Sequence, residues 1–198
     1  MQLSKRLSAV AEFVTPGGCL VDVGTDHGYV PIALLEQQKI SSAIAMDVNR
    51  GPLERAREHI AQYQMGDYIE TRLSDGLHAL RAGEGDSLLI AGMGGEEIVE
   101  ILKRAPFLPA TLCLQPMKNA EKLRVALMVL GYRIEKDYTF RDGKFYDAIL
   151  AVRGEDRLSA REAQFGRTNL NVRPPAFLEK LQEERGKIDG YLERDLSA

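Results

Sequence analysis

Apolar positions change period several times along the chain, and each change marks an element. Leu3, Leu7, Val10 and Val14 recur at three- and four-residue spacing. That spacing puts one apolar stripe on a helix, which Thr15-Pro16-Gly17-Gly18 then ends. Short, nearly continuous apolar runs follow at Cys19–Val23, Ala43–Met46, Tyr68–Leu73, Ser87–Ala91 and Thr111–Leu114. Runs of this kind suit strands covered by helices on both faces. Helical patterns at about 29–38, 50–64, 96–104 and 119–130 separate most of them. Alternating strand and helix predicts an α/β, doubly wound parallel sheet.

Beyond residue 130 the pattern differs. Tyr132–Phe140 and Lys144–Val152 flank Arg141-Asp142-Gly143, and Asp-Gly is a tight-turn signal, so a terminal antiparallel hairpin is expected. Beyond Gly154 the pattern loosens, through Asn169–Pro175. Phe177, Leu181, Ile188 and Tyr191 or Leu192 recur at heptad-like spacing among charges, which predicts one amphipathic helix from about Phe177 to Leu196. Its apolar stripe needs cover from the core or from another chain. The expected division is a catalytic domain over 1–154 and a short helical appendage over 155–198.

A chain of 198 residues with 44% hydrophobic and 28% charged residues folds as one domain with at most a small addition. The formal net charge of −3 conceals an asymmetry. Residues 1–100 hold 8 Lys/Arg against 15 Asp/Glu, and residues 101–198 hold 18 against 14. The second half is therefore the side suited to a polyanion. Cys19 and Cys113 lie singly in apolar runs, as buried reduced thiols do, which points to the cytoplasm and away from a metal site. No apolar run approaches the roughly 20 residues that cross a bilayer, and the start of the chain is unlike an export signal.

Four strand ends carry the chemistry. Asp22-Val23-Gly24-Thr25-Asp26-His27-Gly28 closes the first strand with acidic residues and two glycines that let the backbone approach a ligand. Its G-x-x-x-G spacing departs from the G-x-G-x-x-G of dinucleotide sites. Asp47, at the end of the second strand, is placed to accept from both hydroxyls of a ribose. Ser74-Asp75-Gly76 follows the third strand, where a carboxylate accepts from an adenine amino group. Acidic groups in this order suit an adenosine that carries an ammonium, and so S-adenosylmethionine. Ala91-Gly92-Met93-Gly94-Gly95 closes the fourth strand as the loop beside the reacting group, with Glu96 and Glu97 in the positive first turn of the next helix.

The chain resembles the bacterial tRNA (adenine-N1)-methyltransferases that modify adenine 22 in the D-arm. The resemblance rests on Ser4-Lys5-Arg6-Leu7, Asp22 to Pro31, Ile90 to Gly95, Leu114-Gln115-Pro116 and Gly143-Lys144-Phe145-Tyr146, in that order. It implies a Rossmann-like class I methyltransferase fold, S-adenosylmethionine as methyl donor, tRNA as acceptor, and a C-terminal helical, coiled-coil-like appendage; a monomer or weak dimer is expected. Cofactor contacts are expected from Asp22, Gly24, Thr25, Gly28, Asp47, Ser74, Asp75, Gly76, Gly92 and Met93. Asp26 is the candidate catalytic carboxylate. Candidate contacts to the acceptor are His27, Tyr29, Gly94, Gln115, Pro116, Lys118, Asn119 and Tyr146, with Phe145 nearby. Lys5, Arg6, Lys122, Arg124 and Arg133 are candidate phosphate contacts. His59 and His78 are expected to be ordinary surface or helix histidines. The competing functions are a methyltransferase for a small molecule or protein, and a non-catalytic cofactor- or RNA-binding module.

Overall fold

The structure, a computed structural model, describes residues 1–195. The expected end of the last helix, at Leu196, lies outside them. Seven strands form one sheet: β1 Cys19–Val23, β2 Ser42–Asp47, β3 Ile69–Leu73, β4 Ser87–Met93, β5 Thr111–Pro116, β6 Tyr132–Asp142 and β7 Lys144–Arg153. Their order is β3-β2-β1-β4-β5-β7-β6. The first five are parallel, and β7 runs antiparallel between β5 and β6. The β6–β7 hairpin turns at Gly143, which has a φ of 70°. This is the Rossmann-like sheet with a terminal hairpin that the sequence pattern predicts.

Helices α1 Lys5–Ala11, α2 Tyr29–Glu36 and α3 Arg50–Gln62 supply one apolar layer, with Val10, Ile32, Ala56 and Ile60 packed beside Leu20, Ala43 and Ala45. Helices α4 Gly95–Arg104 and α5 Ala120–Val129 supply the other, with Ile98, Leu102, Leu123 and Leu127 beside Val21, Val23, Leu88 and Ile90. Leu20 and Val21 thus face opposite layers, as the two-residue period of a strand demands. Cys113 is fully buried, whereas Cys19, the first residue of β1, is only half-buried; both are free thiols.

The stretch expected to be loose contains two short helices, α6 Ala160–Phe165 and α7 Arg167–Val172, before α8 Pro175–Asp195. Ser159 starts α6 with a capping box: its hydroxyl accepts from Glu162 N, and the Glu162 carboxylate accepts from Ser159 N. The proximal part of α8 folds back on this platform, with Phe177 buried against Phe165 at a centroid distance of 6.2 Å. Farther along, Ile188, Tyr191 and Leu192 are exposed. Among the described residues no helix is long and apolar enough to cross a membrane.

Candidate active site

In an open parallel sheet the strand order reverses at one point, and the helices following the two strands there leave on opposite faces, which opens a crevice at the carboxyl ends. Here that point lies between β1 and β4. A cleft of about 620 Å³ occupies it, lined among others by Asp22, Gly24, Thr25, Asp26, Tyr29, Asp47, Gly92 and Met93. These eight candidates therefore share one cavity, and Arg6, expected as a phosphate contact, lines it as well. Its other wall was not expected: Met1, Gln2, Leu3, Ser4, Arg6 and Leu7 also line it.

Asp22 is the next-to-last residue of β1 and is only 4% exposed. Its Oδ2 accepts from the Thr25 hydroxyl at 2.7 Å. Burial pushes the Asp22 carboxyl up to about 6; the Thr25 hydrogen bond opposes this, and the charge of Asp47 adds to it. Asp47 is 7% exposed, with Oδ1 accepting from Asn49 N at 2.8 Å. Neither carboxylate has an ion-pair partner among the described residues. The site is therefore poised to receive cationic or hydroxyl donors from a ligand.

Backbone geometry shapes the cleft around these carboxylates. Gly24 N and Thr25 N both donate to Met46 O, at 2.9 and 3.0 Å, so the loop after β1 is strapped over the end of β2. Gly24 has a φ of 74°, and a Cβ there would lie 2.4 Å from Met93 Cε. A side chain would both strain this turn and fill the cleft.

The third loop stands apart. Ser74, Asp75 and Gly76 are not among the cleft-lining residues. The Ser74 hydroxyl is used inside its own turn, donating to Gly76 O at 2.9 Å and accepting from Ala79 N at 3.1 Å. Asp75 is exposed and pairs with Arg104 at 3.2 Å. The loop is joined to the site through its backbone, because Ser74 N donates to Asp47 O at 2.9 Å. Gly28 is the left-handed N-cap of α2, set against Ala56 of α3.

Asp26 also takes a left-handed backbone, with a φ of 48°. Its carboxylate is exposed, 3.2 Å from Arg55 Nη2 and 3.5 Å from His27 Nε2. The His27 ring lies nearly parallel to that of Tyr29, 5.0 Å away, and His59 joins them at 5.4 Å from each. His59, expected to be ordinary, thus belongs to a three-ring cluster at the rim, and its Nδ1 lies 3.0 Å from His27 O. His78 is an exposed turn residue, as expected, its Nδ1 2.6 Å from Asp75 O.

The remaining candidates gather beyond β4. Pro116, Lys118, Asn119 and Tyr146 line a separate polar hollow of about 190 Å³, together with Asp147 and Lys180 of α8. Gln115 stands between cleft and hollow and is fully buried. Its Oε1 accepts from Arg6 Nη1 at 2.9 Å and Gly92 N at 3.1 Å, while its Nε2 donates to Pro116 O at 2.9 Å. Asn119 Nδ2 is held by Glu96 Oε2 at 3.1 Å. Gly94 lies beside the Lys118 side chain. The β4–α4 and β5–α5 turns are bound to each other: Met117 N donates to Met93 O at 2.8 Å, and Gly95 N to Lys118 O at 2.9 Å. A Cβ on Gly95 would lie 2.3 Å from Asn119 O.

One expectation is overturned. Arg124 is not a phosphate contact, because it is 1% exposed and buried behind the hollow. Its Nε donates to Asp137 Oδ2 at 2.9 Å, its Nη2 is 3.4 Å from Asp147 Oδ2, and its Nη1 reaches Ala163 O at 3.3 Å. Asn169 of α7 joins the same network, donating to Thr139 Oγ1 at 2.9 Å and accepting from Thr139 N at 2.9 Å. Thr139 in turn donates to Asp147 at 2.6 Å. The appendage is bolted to the sheet through buried polar groups. The Ser-x-x-Glu capping box at Ser159 was the readable sign of structure there; nothing local marked Arg124 as buried.

Residues 3–150 match the methyltransferase domain family. The chain is 35% identical over 159 residues to the tRNA (adenine(22)-N(1))-methyltransferase of Bacillus subtilis (strain 168), covering 78% of this chain and 67% of that protein. Among solved structures, Streptococcus pneumoniae Sp1610 in complex with S-adenosyl-L-methionine superposes with a TM-score of 0.91 at 35% identity, over 98% of this chain and 92% of that one. TrmK of M. capricolum, in complex with S-adenosyl-homocysteine, gives 0.85 at 26% identity, over 98% and 88%.

Proposed function

We infer the function from this premise: the chain belongs to the methyltransferase domain family and, within it, to the tRNA (adenine(22)-N(1))-methyltransferases. It uses S-adenosylmethionine to methylate N1 of an adenine in tRNA, at position 22 of the D-arm. The observation that carries this reading is the pair of buried carboxylates, Asp22 and Asp47, opening without counter-charge into one cleft at the strand-order reversal. A volume of about 620 Å³ suits a ligand of nucleoside size.

The residues fit the cofactor. Asp22 accepts from its ammonium, and Asp47 from the ribose hydroxyls through the oxygen not held by Asn49. Gly24, Thr25, Gly92 and Met93 line its path, with Gly28 setting the start of α2. Ser74, Asp75 and Gly76 contribute at the adenine end through the backbone tie to Asp47. When bound, the cofactor supplies a methyl on a sulfonium: the N1–C bond forms as the S–C bond breaks, sulfur keeps the electron pair, and the positive charge passes to adenine. N1 attacks with its in-plane lone pair, so the protein need remove no proton. Its work is alignment and the placing of negative charge near the product cation. Asp26 is the carboxylate for that charge, held at the rim by Arg55 and His27. The adenine must leave its stack to present N1, and Tyr29 with His27 offers an aromatic rim for it. Gly94, Gln115, Pro116, Lys118, Asn119 and Tyr146 form the acceptor side. Residues 1–154 make the catalytic unit, and 155–198 extend the RNA-facing surface. The enzyme acts in the cytoplasm as a monomer or weak dimer.

Transfer of labelled methyl to unmodified tRNA, followed by mapping of the modified base, tests the reading; label at any base other than adenine 22, or none, overturns it. Asp26→Asn is expected to slow single-turnover transfer more than it weakens cofactor binding. Equal losses would leave Asp26 a cofactor ligand only.

A further inference from the structure

The tip of the β6–β7 hairpin and the proximal turns of α8 enclose a further crevice of about 420 Å³. Four cations converge on it: Arg141 and Lys144 from the hairpin, Lys180 and Lys187 from α8. The α8 members recur with Glu183 and Glu184 at three- and four-residue spacing, which sets them on one face of the helix. The crevice continues the polar hollow, since Phe145, Lys180 and Glu184 line both. Lys144 and Lys187 meet no acidic side chain within ion-pair distance among the described residues. Lys180 lies 3.9 Å from the buried Asp147 carboxylate.

Arg141 is treated differently. Its guanidinium lies over the Phe145 ring at 5.1 Å, and the aromatic face fixes the plane of the group. Nη1 donates to Glu179 Oε2 at 3.2 Å, and Nη2 is 3.5 Å from Glu183 Oε1. Both terminal nitrogens thus face carboxylates one helical turn apart, while the neighbouring lysines stay open. All three side chains are about half exposed, so water screens the pairs and they add little to the hold on α8. That hold comes from Phe177, buried against Phe165 of α6, and from Arg124 and Asn169, which tie α6 and α7 to the sheet. Exchange of the two carboxylates for another anion would therefore leave the arm seated. A guanidinium fork matches a phosphate as well as it matches a carboxylate, and an RNA strand leaving the hollow brings one.

We propose that this crevice is a phosphate site for the tRNA strand leaving the hollow, and that Glu179 and Glu183 form an autoinhibitory clasp. Their carboxylates fill the place of the phosphate on Arg141 until the tRNA displaces them. The inference rests on the reading of the hollow as part of the acceptor side. Filter binding of unmodified tRNA to the full chain across a salt series tests it. Glu179→Gln combined with Glu183→Gln keeps the shape of both side chains and removes their charge. This double variant is expected to bind tRNA roughly three- to tenfold more tightly, with a salt slope steeper by about 1, because no freed carboxylate recaptures the counterion that the phosphate gives up. Removal of two negative charges raises affinity for a polyanion in any case, so the decisive measurement is the cycle with Arg141→Gln. That change is expected to cancel the gain of the double variant while costing the wild type less than about threefold. Calorimetry with S-adenosylhomocysteine counts the folded sites in every variant, and its affinity is expected to be unchanged. Unchanged or weaker tRNA binding by the double variant would overturn the clasp. A gain that persists without Arg141 would be general electrostatics and would remove the phosphate site. Wild-type protein whose tRNA affinity and salt slope ignore Lys118→Ala would instead overturn the placing of the acceptor strand at the hollow.

Discussion

Two pairs of buried aspartates stand on either side of β4 and β5, and they are treated in opposite ways. Asp137 and Asp147 are saturated: Arg124 lies between them, and Thr139, Thr168 and, for Asp147, Lys180 complete their surroundings. Asp22 and Asp47 are equally buried but receive only a hydroxyl and a backbone amide. Burial of a charge is unfavourable in both places. In the first pair the protein supplies the compensation itself and gains a fixed joint between sheet and appendage. In the second no cation among the described residues supplies it, and the ligand-free protein bears the cost. A buried carboxylate thus marks scaffold or site according to whether its counter-charge is already present.

The largest effect tests the scaffold. Arg124→Met leaves two buried carboxylates without their cation, and a loss of about 3–5 kcal/mol is expected in urea unfolding. A loss below about 1 kcal/mol would mean that the network is not a joint. The opposite sign is expected at the site. The folded-state pKa of Asp22, about 6, lies above the ordinary 3.8. The native state therefore binds this proton more tightly than the unfolded chain. The stability it confers is complete below 3.8 and is lost as pH rises through 6. Asp22→Asn removes that loss, so the ligand-free variant is expected to be more stable at pH 7 by up to about 3 kcal/mol, less the value of the Thr25 bond, while binding the cofactor poorly. A variant less stable than wild type would show Asp22 to be structural. In the wild type, cofactor affinity should fall as pH drops below about 6.

Asp47→Ala is expected to weaken S-adenosylmethionine binding by roughly 1.5–3 kcal/mol, the value of one or two lost charge-assisted bonds. Wild-type affinity in calorimetry would place the ribose elsewhere. The smallest effects belong to the hollow. Lys118→Ala and Lys180→Ala should each lower tRNA affinity modestly and reduce the salt slope by about 1, as expected for single phosphate contacts. Unchanged slopes would separate the hollow from the RNA path.

Where function depends on consecutive residues, the sequence was informative. The strands read as apolar runs because helices cover both sheet faces, and Asp22, Gly24, Asp47 and Gly92 fall at strand ends that a parallel sheet must bring together. Contacts between distant segments were not legible. Helical period shows which face of α1 is buried, but not that Met1–Leu7 walls the cleft. Arg104 draws the Asp75 side chain outward across 29 residues of sequence, which no local pattern at Ser74-Asp75-Gly76 reveals. Arg124 reads as a surface charge because its partners, Asp137 and Asp147, lie on two later strands.

Gly95 has a mechanical consequence. With no room for even a methyl between it and the Asn119 carbonyl, and with two backbone bonds joining the β4–α4 and β5–α5 turns, those turns form one rigid hinge plate. This plate lies between the cleft and the polar hollow. The parts that stand beside it are the N-terminal wall that carries Arg6 and the α8 arm that carries Lys180. The cleft and the polar hollow are thus joined at a floor whose two turns are set in one register by their own backbone.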